Sequence, residues 1–295
     1  MPLAPKTLIS ICFILTGVSL QAQQLLPQKG KEPGFHPKFN KEFVQSHRIK
    51  EIKVEMNVKR DGDKIRPTGD REIYRFSREG KLEMIRSTTS AYADTGFTFY
   101  FYAGTRLDCE MKNDASGMFS YCYIYTDDGY IAERKFGRTE RFEQIERAAD
   151  PRELPEISTE KYTYRRYENQ VHGTLYNSAN RPYQNETWYY DENGYLTQYL
   201  KSFVMSSGRE KETYSYNEQG WLAARTVEID RTPYSWEYIY DKVGNLIEEQ
   251  KFQDENELYH KEFVYDPKTF ILKAELSRED KQAQIRIVNY SYTYY

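Results

Sequence analysis

Cysteine is scarce: the chain has three in 295 residues. Cys12 lies inside the apolar start of the chain behind Ile11, where a lipoprotein signal would need a small residue before a cysteine at the end of that run. A lipid anchor is therefore not expected. A surplus of either charge is also missing, with 42 Lys and Arg against 45 Asp and Glu. Recognition of nucleic acid through displaced counterions needs a cationic excess, and an acidic solvating tail needs the reverse, so both classes are excluded. No stretch after residue 22 is apolar enough to span a bilayer as a helix. Motifs that carry chemistry are lacking as well. There is no G-x-S-x-G, phosphate-binding loop or dinucleotide fingerprint. His36, His47, His172 and His260 are scattered without the spacing of zinc ligands. Asp61-Gly62-Asp63 fails as a calcium loop, because Ile65 and Arg66 stand where that loop needs an oxygen ligand and a glycine. Neither metal nor cofactor is expected.

The first 22 residues have the form of an export signal: Lys6 as the charged lead, Leu8 to Val18 as the apolar core and Leu20-Gln21-Ala22 before a cut. Cleavage after Ala22 would leave Gln23 first. Residues 23–42 contain Pro27, Gly30, Pro33, Gly34 and Pro37 without periodicity and read as a mobile leader. Export permits oxidation, which makes Cys109 and Cys122 informative. Leu107–Lys112 and Met118–Tyr125 read as two strands around the turn Asn113–Gly117, and counting outward from its centre sets Cys109 opposite Cys122. Partners across such a pair have Cα atoms about 4.5–5.5 Å apart, within disulfide range. The reading predicts that bridge, with a stabilisation on the order of 3 kcal/mol.

Aromatic residues are abundant, with 28 Tyr, 15 Phe and 3 Trp. They fall into a recurring pattern, aromatic-x-aromatic-[D/N/S/T]-x-x-G-x-[L/I]. It occurs at Tyr74–Ser77 with Gly80 and Leu82, Tyr123–Thr126 with Gly129 and Ile131, and Trp188–Asp191 with Gly194 and Leu196. Tyr214–Asn217 with Gly220 and Leu222 follows, then Tyr238–Asp241 with Gly244 and Leu246. A degenerate copy, Phe263–Asp266, has Thr269 in place of glycine, then Ile271. The anchors Tyr190, Tyr216, Tyr240 and Tyr265 are 26, 24 and 25 residues apart, with weaker turn signals midway. The chain should reverse about every dozen residues as a meander of antiparallel hairpins, with uniform turns on one rim and variable turns on the other. The polar residue opening each turn accepts from the turn's own backbone, and glycine closes it at positive φ. In that register Tyr125/Ile131, Tyr190/Leu196, Tyr216/Leu222, Tyr240/Leu246 and Tyr265/Ile271 pair as a core row, while residues following each glycine take the opposite face. Thr139 to Ala149 places Phe142, Ile145 and Ala148 at helical spacing before Asp150-Pro151, which predicts one short helix and a linker.

The expected fold is all-β, an antiparallel β-meander of repeated hairpins in a large twisted or coiled sheet, with one short helix near 139–149. Its organisation is a signal peptide over 1–22, the leader over 23–42, a first hairpin block over 43–138, helix and linker over 139–158, and repeats over 159–295. The motif Y-x-Y-D-x-x-G-x-L, best seen at Tyr190-Asp191, Tyr240-Asp241 and Tyr265-Asp266-Pro267, resembles the YD repeat of Rhs and teneurin-like secreted proteins. That resemblance implies a β-sheet spiralling into a hollow shell around a toxin cargo. The chain departs from the family in being too short for such a shell, in ending on the strand Tyr290–Tyr295 without a cargo region, and in lacking the self-cleavage context after Asp266-Pro267.

Tyr130, Tyr195 and Trp221, each following a turn glycine, are the candidate ligand-binding residues, because rings displayed at a regular interval can stack on sugars or peptide side chains. Core filling is the competing use of the same rings. The function expected is a secreted or periplasmic non-enzymatic binding module for a glycan or an envelope or extracellular protein. A cell-wall or polysaccharide hydrolase and a structural envelope subunit are the alternatives, and the sequence does not set the oligomeric state. Convergent titratable groups in a cleft would mark the hydrolase.

Overall fold

The computed structural model describes residues 24–26, 38–89, 94–140, 150–230, 232–279 and 283–295. A short helix α1 (Lys41–Ser46) precedes β1 (Ile49–Arg60), β2 (Arg66–Phe76), β3 (Leu82–Thr89), β4 (Asp94–Ala103), β5 (Arg106–Asp114) and β6 (Gly117–Tyr125). Then come β7 (Ile131–Thr139), a single 3-10 turn (Pro151–Glu153), β8 (Glu156–Tyr167), β9 (Gln170–Tyr176), β10 (Pro182–Tyr190), β11 (Leu196–Phe203) and β12 (Arg209–Tyr216). The last are β13 (Leu222–Ile229), β14 (Thr232–Tyr240), β15 (Leu246–Gln253), β16 (Asn256–Tyr265), β17 (Leu272–Glu279) and β18 (Gln284–Tyr294). Each strand pairs with its sequence neighbours, and β18 pairs antiparallel with β1, so the 18 strands close into a barrel.

Closure corrects the expectation of a large twisted or coiled sheet, and with it the spiral implied by the YD-repeat resemblance. A meander of this length left open would present two edges of unpaired backbone groups, and pairing the first strand with the last removes both. The all-β antiparallel character holds, with one short helix, which lies at Lys41–Ser46. Of the helix expected near 139–149, Thr139 ends β7 and 141–149 lie outside the described residues. The expected signal peptide and its cut between Ala22 and Gln23 also lie outside them.

The turn chemistry explains the hairpins. Asp191 Oδ1 accepts from the amides of Asn193 and Tyr195 at 2.9 and 2.8 Å, Asn217 Oδ1 from Gln219 and Trp221, and Asp241 Oδ1 from Val243 and Asn245. Tyr125 pairs with Ile131, Tyr190 with Leu196, Tyr216 with Leu222 and Tyr240 with Leu246, each beside a register shift. In the degenerate copy Tyr265 pairs with Leu272 rather than Ile271. Phe270, at φ 56°, takes the left-handed place of the missing glycine one position late. The shift leaves each Leu carbonyl available to a hydroxyl, and a tyrosine of the next hairpin takes it: Tyr216 donates to Leu196 O at 2.9 Å, Tyr240 to Leu222 O at 2.8 Å and Tyr265 to Leu246 O at 2.9 Å. The second aromatic of the motif thus ties one hairpin to the one before it.

Side chains on a closed ring converge inward and splay outward. Tyr74, Trp188, Tyr199, Tyr214, Tyr238, Phe263 and Tyr290 are buried and, by the strand register, share one face. A face covered largely by its own neighbours reaches such burial on the concave side, so this aromatic face is the inner wall. Ile124, Ile239 and Val264 point the other way and are 47%, 41% and 42% exposed.

Residues 24–26 and 38–40, within the stretch read as a leader, lie across the seam between β18 and β1. Leu25 bridges Phe39, Gln24 Oε1 accepts from Leu272 N at 2.8 Å, and Gln24 Nε2 donates to the Tyr292 hydroxyl at 3.0 Å. The Phe39 ring meets Tyr74 and Phe76 edge-on, and Lys38 Nζ donates to Glu275 at 3.1 Å and to Tyr290 at 2.9 Å. Helix α1, capped by Asn40, rests on the β2–β3 turn. Burial favours a neutral Glu275, but the charges of Lys38 and Lys261 and the Tyr290 hydroxyl outweigh it and hold the carboxyl below its ordinary value.

Gly80 has φ +77°, and a Cβ there would lie 2.3 Å from Lys41 O, whereas Gly62, at φ +74°, has open space around it. Gly80→Ala should cost about 3 kcal/mol and Gly62→Ala about 1 kcal/mol in urea unfolding, the difference measuring the helix contact. A group with a depressed folded pKa stabilises the fold above its unfolded pKa, and that contribution is lost as pH falls through the folded value. Unfolding between neutral pH and about pH 3 should therefore show a stability loss that is smaller in Glu275→Gln than in wild type.

Candidate functional site

The bridge expected from the hairpin count is present: Cys109 and Cys122 are directly paired in β5 and β6 and joined by a disulfide. They lie on the outer wall beside a small apolar cluster of Met84, Phe99, Met111 and Met118. The segment after the 3-10 turn packs over this patch, tied by the ion pair of Arg152 with Asp108. A cavity of about 390 Å³ remains there, bordered by Ser120, Cys122, Gly137, Pro151 and Leu154.

Tyr130, Tyr195 and Trp221 all sit at the glycine rim, Tyr130 and Trp221 half-buried and Tyr195 37% exposed, and each packs against an aromatic neighbour rather than standing on the opposite face. The register shift turns each toward the aromatic side. The Tyr130 ring lies 4.9 Å from Tyr164, Tyr195 4.8 Å from Tyr216, and Trp221 5.2 Å from Tyr240. Each of the latter two covers the turn of the next hairpin: a Cβ on Gly220 would meet the Tyr195 hydroxyl at 2.3 Å, and one on Gly244 the Trp221 ring at 2.7 Å. Arg166 stacks on Tyr130 at 4.6 Å and donates to its hydroxyl. Tyr195 and Trp221 therefore occupy consecutive hairpins of one rim, each ring held between its neighbours.

The inner wall carries a second set of groups. Tyr74 donates to Glu72 at 2.5 Å, Tyr214 to Glu212 at 2.6 Å, Tyr199 to Glu186 at 2.9 Å and Tyr183 to Glu160 at 2.8 Å, and Tyr290 donates to Glu275. Cations complete several of these clusters, with Arg225 at 2.8 Å from Glu212 and Arg134 at 2.9 Å from Glu160. Burial first, and then the adjacent carboxylates, push Tyr74, Tyr183, Tyr199 and Tyr290 far above their ordinary range, so they remain protonated donors. Sequence reading missed this belt, although a signal was available. Glu72-Ile73-Tyr74, Glu160-Lys161-Tyr162 and Glu212-Thr213-Tyr214 set an acid and a tyrosine two apart on one face of a strand. Glu110 is a half-buried carboxyl raised by desolvation, and the charged groups acting on it are Lys112 and Arg134, with Tyr123 donating. Among the described residues no second carboxylate acts on it with which to divide acid and base roles.

A polar recess lies on the outer wall toward the variable rim, across β10–β13. It has a volume of about 1010 Å³ and is lined by Asn185, Thr187, Ser202, Arg209, Lys211 and Glu228, among others. Strand alternation brings these together, since Asn185 pairs with Ser202, Ser202 with Arg209, and Lys211 with Glu228. Carbonyl, amide, hydroxyl, cationic and anionic groups thus face one hollow over a floor that includes Leu200. Among the described residues no group of His, Cys, Asp and Glu is placed to hold a metal ion, and no helix is long and apolar enough to cross a membrane.

No protein-family model and no curated protein matches the chain. Among solved structures, a porin-like protein from Bacteroides uniformis is similar at 12% identity and TM-score 0.39, over 83% of this chain and 98% of that one. A porin-like protein from Bacteroides vulgatus is similar at 11% identity and TM-score 0.35, over 81% of this chain and 97% of that one. A TcdB2-TccC3-Cdc42 structure is similar at 15% identity and TM-score 0.29, over 67% of this chain but 12% of that one. Likeness this remote carries no argument about function. The YD-repeat resemblance is not upheld, since no family model supports it and the sheet is a closed ring of 18 strands.

Trp221→Ala should lower stability by about 3 kcal/mol, because it empties the space between Gly244 and Tyr240. Calorimetric melting checks this, and an unchanged melting temperature would show that the ring is not a packing element.

Proposed function

We propose that the chain is an exported, non-enzymatic binding module that seats a glycan in the polar recess over β10–β13. The recess carries the reading. At about 1010 Å³ it has room for several sugar rings, and its alternating donors and acceptors suit a ligand covered in hydroxyl groups. The Cys109–Cys122 disulfide supports an oxidising compartment, in line with the leader-like first 22 residues. The outer wall carries exposed Lys53, Glu55, Arg75, Lys161, Arg165 and Glu262, which favours a barrel in water over one with its wall in lipid. The non-enzymatic reading is supported by the inner-wall carboxylates, which are held by tyrosine hydroxyls or cations rather than left as a facing pair. Closure of the ring leaves no strand edge for neighbours to extend, which weighs against assembly by edge pairing. A protein ligand remains the second reading, since the recess opens on the rim whose turns vary.

Calorimetric titration with soluble cell-wall and plant oligosaccharides tests the proposal. Asn185→Ala and Lys211→Ala should each weaken binding by about tenfold, equivalent to losing one hydrogen bond, with melting unchanged. Equal affinity in both variants would remove the recess as the seat, and turnover of the oligosaccharide would refute the non-enzymatic reading.

A further inference from the structure

The β11–β12 hairpin, which supplies much of the polar recess, ends in an apolar apex. Phe203, Val204 and Met205 are 40%, 45% and 91% exposed, and Ile229 on the adjacent hairpin is 49% exposed. The apex is a held structure: Val204 N donates to Tyr183 O at 2.9 Å, and Lys201 Nζ lies 5.0 Å from the Phe203 ring centre. Behind it the charges are unevenly committed. Glu210 pairs with Lys201 at 3.5 Å, and Asp230 Oδ1 accepts from the Arg209 amide at 3.3 Å. Glu228 faces Lys211 across the strand pair. Among the described residues, the exposed Arg209 and Lys211 side chains enter no ion pair.

We propose that this corner of the variable rim docks on a bilayer carrying anionic headgroups, with Phe203, Val204 and Met205 entering the interface and Arg209 and Lys211 meeting the headgroups. Three consecutive apolar residues at a convex apex present no surface for a flat partner to cover, whereas an interface accepts such a tip without a matching shape. Uncommitted cations one to two turns of the pleat behind the tip lie where phosphate would sit. The inference does not rest on the glycan reading, although both use the same hairpin and both use Arg209 and Lys211.

The experiment is sedimentation of the full chain with vesicles of phosphatidylcholine alone, or with about one part in five of phosphatidylglycerol. Binding should be at least about tenfold greater to the anionic vesicles and should weaken with added salt. Val204→Asp and Met205→Asp should each lose about tenfold with melting and oligosaccharide affinity retained, and Arg209→Glu should remove the preference for anionic vesicles with melting retained. Soluble glycerol phosphate should not compete, which separates a lipid surface from a free phosphate site. Equal binding to both vesicle types, wild-type binding by Val204→Asp, or competition by glycerol phosphate would overturn the proposal. So would a concentration-dependent dimer abolished by Val204→Asp, which would assign the apex to a second copy. Oligosaccharide binding that survives without vesicle binding overturns this inference alone.

Discussion

Pairing of β1 with β18, from Ile49 opposite Tyr294 to Arg60 opposite Gln284, turns a meander into a ring. Every other strand pair joins sequence neighbours, all but β7 and β8 across a connection of a few residues. The seam alone must bring the two ends of the described sheet together, against the entropy of closing so long a loop. It is accordingly reinforced by residues outside the two strands. Gln24, Leu25, Lys38 and Phe39 lie over it, and the Tyr295 hydroxyl reaches across to Phe76 O. Residues before the first strand thus fasten the barrel they precede.

Closure also explains the composition. A ring of 18 strands encloses more wall than aliphatic side chains can fill, and tyrosine offers a long flat ring with a polar tip. Its hydroxyl either holds a carbonyl freed by the register shift at each turn, as in Tyr216 to Leu196, or satisfies a wall carboxylate, as in Tyr214 to Glu212. Both uses place the polar atom in a hydrogen bond and the ring against its neighbours, so the inner wall is buried without being oily. The low mean hydropathy of the chain and its stable sheet are therefore compatible. The outer wall, free of that packing, carries charges, the polar recess and the apolar apex.

Features governed by local chemistry were legible in the sequence. The turn residues Asp191, Asn217 and Asp241, the pairing of Tyr216 with Leu222 and the facing of Cys109 and Cys122 all follow from counting along one hairpin. What needed more than one hairpin was not. Nothing near Ile52 marks Tyr292 as its partner, because the two strands meet only through the ring. Thr269 in place of glycine shifted Tyr265 onto Leu272, since the left-handed position passed to Phe270. Tyr195 and Trp221 were found as a row, but their direction depends on register shifts that alternation does not reveal. The recess over β10–β13 draws on four strands whose residues are separately unremarkable, and so had no sequence signal.

Hydrogen exchange of the backbone amides in β1 and β18 tests ring closure most directly. A closed barrel protects the amides facing across the seam, from Val54 to Val58 and from Arg286 to Tyr290, as strongly as those between β12 and β13. Exchange of the seam amides at the rate of unpaired edge strands, with β12 and β13 still protected, would contradict closure and the account of the seam, inner wall and recess built on it.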